Sequence, residues 1–95
     1  MAFKADGPRQ HSEFKNAETA RLVKRALDLA AQPGRNKVDT EIVNAIMVAN
    51  ESGDAVAIDA LDPDSKRNMR LPESARTNLR RAQELADQSS SGGVR

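Results

Sequence analysis

Apolar residues recur at three- and four-residue intervals from Glu18 to Asn50, ETARLVKRALDLAAQPGRNKVDTEIVNAIMVAN, which predicts two helices folded back on each other. In the first arm Leu22, Ala26, Leu29 and Ala30, with Val23 beside them, share one side of the helical spiral. In the second, Ile42, Ile46 and Ala49 repeat, flanked by Val43 and Met47. Each arm therefore carries an apolar stripe that needs cover. Ser12 is a candidate N-cap followed by Glu13, so the first helix is expected from about Ser12 to Gln32. Pro33 cannot continue it, and Gly34 can take the left-handed conformation that closes it. Either Asp39 or Thr40 can cap the second helix, which Gly53 should stop just after Ser52.

Beyond Gly53 the pattern changes period. Val56, Ile58 and Ala60 alternate with Ala57 and Asp59, and Asp62-Pro63-Asp64-Ser65 places Asp and Pro where a type I turn favours them. If Leu61 pairs with Lys66, Ile58 faces Met69 and Val56 faces Leu71. Four apolar side chains then share one face while Asp59, Asn68 and Arg70 point away, which predicts a β-hairpin over residues 55–71. The competing reading has Asp54 capping a short third helix through Leu61, because Ala-rich segments also suit helices. Pro72 then opens a last helix with Ala75, Leu79, Ala82, Leu85 and Ala86 as its stripe, ending near Gln88. SSSGGVR has nothing to bury. The expected fold is α+β and mainly helical: a helical hairpin, a β-hairpin and a C-terminal helix, with an all-α bundle as the alternative. A single domain over residues 12–88, with flexible tails at 1–11 and 89–95, follows from these limits.

Composition makes the expected core thin. Of 95 residues 15 are Ala, while Leu, Ile, Val and Phe together number 18, near the level where disorder becomes a concern. A net charge of only +1 argues against disorder. The expectation is a folded, modestly stable domain for which a second copy or a partner could supply missing burial, and a homo-oligomer such as a dimer is expected. The absence of Cys removes disulfide and thiolate chemistry and fits a reducing compartment. No stretch approaches the roughly 20 apolar residues of a membrane span, so a soluble cytoplasmic protein is the default expectation.

Catalytic and metal chemistry find little support. Asp62, Asp64 and Glu73 match the outer ligand positions of a calcium loop, but Lys66 stands at an oxygen-ligand position and Arg67 replaces its Gly. His11 is the only imidazole and has no Cys or acid cluster to complete a zinc set or a triad. Gly34-Arg35-Asn36-Lys37 lacks the glycine spacing of a phosphate loop. Neither enzyme activity nor a cofactor is expected.

The charge distribution is more informative. Residues 31–65 carry seven acids against two bases, and residues 66–95 seven bases against three acids. Lys66, Arg67, Asn68, Arg70, Arg76, Arg80 and Arg81 lie close together in sequence, a candidate set for duplex nucleic acid. The bland reading is that these arginines pair with nearby acids and solvate the fold. KRNMRLPESARTNLRRAQELA, residues 66–86, resembles the strand and first helix of ribbon–helix–helix repressors and antitoxins, and AAQPGRNKVDTEIVNAIM is similar to that family's turn and second helix. The resemblance implies that Lys66, Asn68 and Arg70 would read the major groove from an intertwined dimer. The leading expectation is therefore a small non-enzymatic regulator that touches nucleic acid through residues 66–81. The alternative is a protein-interaction module, such as an inhibitor, adaptor or antitoxin, with no nucleic-acid contact.

Overall fold

A computed structural model describes residues 14–33 and 37–94, and every regular element among them is helical. Helix α1 spans Ala17–Ala31, α2 Thr40–Ser52, α3 Ala55–Leu61 and α4 Glu73–Val94, with a single 3-10 turn at Lys66–Asn68 ahead of α4. Ser12, His11 and Gly34, which the sequence singled out, lie outside the described residues.

Polar side chains set the helix starts. The cap of α1 is Asn16, four residues past the expected Ser12: its Oδ1 accepts from the Thr19 N–H at 2.8 Å and from Thr19 Oγ1 at 2.9 Å. For α2 the cap is Asp39, which accepts from the Glu41 N–H at 3.0 Å. Gly53 ends α2 as expected, left-handed at φ 68°, with its N–H donating to Ala49 O and Asn50 O. Arg25 on α1 pairs with Glu41 on α2 and ties the two arms together at the surface. The hydrogen bond and charge of Glu41 raise the Arg25 pKa above its ordinary value.

The two arms pack face to face, and α3 and α4 each lie mainly on that pair. Val23, Ala26 and Ala30 of α1 meet Ile42, Ala45, Ile46 and Ala49 of α2; α3 adds Ala57, Ala60 and Leu61, and α4 adds Leu79, Ala82 and Ala86. Nine of the fourteen buried apolar residues described are Ala, so the core is thin, with Ile42, Ile46, Leu61 and Leu79 as its bulk. On α4, Leu85 is exposed, unlike the rest of the expected stripe, and the helix runs past Gln88 to Val94.

The β-hairpin is not formed. Residues 55–61 are helix α3 and residues 66–68 a 3-10 turn, so the fold is all-α, the architecture that stood as the alternative. The cause is Asp54. Its carboxylate accepts from the Val56 and Ala57 N–H groups at 3.1 and 3.3 Å and, from across the fold, from the Lys15 N–H at 2.5 Å. It is 2% exposed, so the cap is built into the interior. Helical spacing then buries Ala57, Ala60 and Leu61, while Ile58, which the strand register turned inward, is exposed. Met69, its expected partner, is 60% exposed. The turn itself is real, with the Ser65 N–H donating to Asp62 O at 3.2 Å and the Asp64 N–H to Asp62 Oδ1 at 3.0 Å, but it joins α3 to the 3-10 turn.

Candidate docking groove

Each residue of the candidate nucleic-acid set has a definite place, and one of them, Asn68, is internal. Lys66 and Arg67 are exposed at the start of the 3-10 turn, and Arg70 is exposed just after it. Asn68 is 4% exposed. Its Nδ2 donates to Ala60 O at 2.8 Å and to Asp62 O at 2.7 Å, occupying carbonyls that the end of α3 leaves without helical partners. An amide so placed holds the fold and is not presented to a base edge. Lys66, Asn68 and Arg70 therefore do not line up as the expected strand would place them.

The arginines have structural partners. On α4, Arg76 and Arg80 both face Asp64, at 3.7 and 3.4 Å, and Arg76 Nε donates to Pro63 O at 3.0 Å. Arg67 stands 3.9 Å from Asp59 on α3. These pairs bind the Asp62–Ser65 turn and the 3-10 turn to their neighbouring helices. Each is partly exposed, so each contributes no more than about 1 kcal/mol. Two amides on α4 make similar joints: Asn78 Nδ2 donates to Ala30 O at 3.1 Å, and Gln83 Nε2 to Leu61 O at 3.3 Å. Arg81 is exposed on the same helix.

A different feature stands out beside α1. Between α1 and the α3–3-10 segment runs a groove of about 580 Å³, within the range of ligand-sized recesses. Its floor is Val23, Ala60 and Asn68, all buried. Phe14, Leu27 and Leu71, half-buried, form its sides together with Ala17 and Ala20. Arg21, Lys24 and Arg67 stand on its rim, and no carboxylate is among the described residues that line it. Such a recess gains free energy when an apolar surface covers it, and its rim adds a preference of charge.

Sequence reasoning passed over this groove, although one signal was available. Successive helical residues are about 100° apart, so Leu27 falls roughly 100° from Ala26 and well away from Leu22 and Leu29. Helix α1 thus has two apolar flanks beside its buried centre. The Leu22 and Leu29 flank was read; the Ala20 and Leu27 flank, which lines the groove, was not. Among the described residues no three His, Cys, Asp or Glu side chains gather as a metal site, and no helix is long and apolar enough to cross a membrane. No family model, no curated protein and no solved structure matches the chain.

Proposed function

We propose that the protein is a small non-enzymatic interaction module that docks another protein in the groove between α1 and the α3–3-10 segment. The observation that carries this reading is the groove itself: an apolar recess with half-buried Phe14, Leu27 and Leu71 exposed to a partner in a domain whose own core is mostly Ala. Duplex binding through residues 66–81 has less support, because Asn68 is internal and Arg67, Arg76 and Arg80 serve joints within the fold. Ala17 is exposed and lines the groove, so Ala17→Trp fills the recess with little disturbance to the core.

The test is co-purification from an extract of the native host, with and without nuclease treatment, with the wild type and Ala17→Trp in parallel and thermal melting as the check on folding. Proteins retained by the wild type and lost by Ala17→Trp support the reading. Retention of the same proteins by both forms rejects the groove. Retention that disappears with nuclease treatment returns the lead to nucleic acid.

A further inference from the structure

The groove has a charge as well as a shape, and together they narrow the occupant. Resting on the docking reading above, we propose that the groove receives an amphipathic helix of a partner protein whose apolar face is bordered by Asp or Glu. Three observations converge on this class. The lining of α1 consists of Ala17, Ala20, Arg21, Val23, Lys24 and Leu27, which follows helical spacing over about 15 Å of the helix axis. Small residues at Ala17 and Ala20 allow a second helix to approach α1 closely, as packed helices do at 8–10 Å between axes. A partner helix of roughly ten residues would match that length and place three anchors at helical spacing beside Leu27, Leu71 and Phe14.

The rim supplies the sign. Arg21 and Lys24 are exposed one helical turn apart on the α1 side, and Arg67 faces them from the 3-10 turn. With three cations and no carboxylate among the described lining residues, an acidic border on the partner gains attraction on both sides of the groove, and a basic border meets like charge. Arg67 is already held near Asp59, so the discrimination rests mainly on Arg21 and Lys24. Exposed charges of this kind steer and select, and they weaken as salt rises.

The experiment uses the full chain and three labelled peptides of about 14 residues with the same Leu spacing, differing only in their border residues: Glu, Gln or Lys. Fluorescence anisotropy at low and high salt reads the affinity. The Glu peptide is expected to bind about tenfold or more tightly than the Lys peptide at low salt, with the difference shrinking at high salt. In the Arg21→Glu/Lys24→Glu double variant, whose side chains are exposed and whose melting is checked, the preference should reverse. Equal binding of all three peptides, no binding of any, or an unchanged preference in the double variant overturns the proposal. So does occupation by a second copy of the chain, seen as self-association lost in Ala17→Trp, or saturable dodecanoate binding with none of the Glu peptide. If the peptides fail while Ala17→Trp still loses the co-purified proteins, docking stands and only the acidic class is wrong.

Discussion

Two groups of cations stand on this domain, and their surroundings give them different work. Around α4 and the 3-10 turn, Arg76, Arg80 and Arg67 each meet a carboxylate of the α3-to-α4 connection or of α3 itself, and Arg76 also grips a backbone carbonyl. Along α1, Arg21 and Lys24 border an apolar recess with no carboxylate among its described lining residues. The first group fastens one part of the chain to another. The second group borders a surface that a partner could cover. In sequence the α4 group looked the more functional, because it was denser. Density along the chain counts for less than where the acids lie in space, since a guanidinium held by Asp64 is already engaged, whereas a rim cation beside Leu27 adds charge to an apolar site.

The contrast can be tested through stability, beginning with the core that sets the scale. Ile46 is 1% exposed between the arms, so Ile46→Ala is expected to cost about 2–4 kcal/mol in urea unfolding. A loss below about 0.5 kcal/mol would mean the arms do not pack as described. Next comes Asn68, the residue that moved from candidate base reader to internal joint. Asn68→Ala should destabilise by about 1–3 kcal/mol, because the buried Ala60 carbonyl loses this donor and Asp62 O keeps only the Ser65 N–H. If unfolding is unchanged and some nucleic-acid affinity is lost instead, Asn68 belongs to a binding face after all.

The smallest effects separate the two cation groups directly. Asp64→Ala removes the partner of both Arg76 and Arg80 and should cost up to about 1 kcal/mol, less at high salt. Arg21→Ala and Lys24→Ala should leave stability within about 0.5 kcal/mol while weakening capture of an acidic helix. Melting curves with the order reversed, a costly Lys24→Ala and a silent Asp64→Ala, would merge the two groups and remove the distinction.

Local chemistry in the sequence determined much of the helical framework. The repeats of Val23, Ala26 and Ala30 and of Ile42, Ile46 and Ala49 specify inward faces because a helix returns to the same side every three to four residues. Asp39 and Gly53 delimit α2 through bonds that span only a few residues. Residues 55–71 had no such resolution: over seven residues Val56, Ile58 and Ala60 fit a strand as well as Ala57, Ala60 and Leu61 fit a helix. The Asp54 cap settles it locally, and groups remote in sequence reinforce it. Lys15 supplies Asp54 with a third bond, and Gln83 reaches the Leu61 carbonyl at the other end of α3. The groove was decided at the same level, since Leu27 becomes a wall only when α3 and the 3-10 turn stand across from it. Caps and periodic stripes are written within one or two turns of chain, whereas the bonds that reinforce helix at both ends of 55–61, and the open flank left on α1, exist only after distant segments have packed.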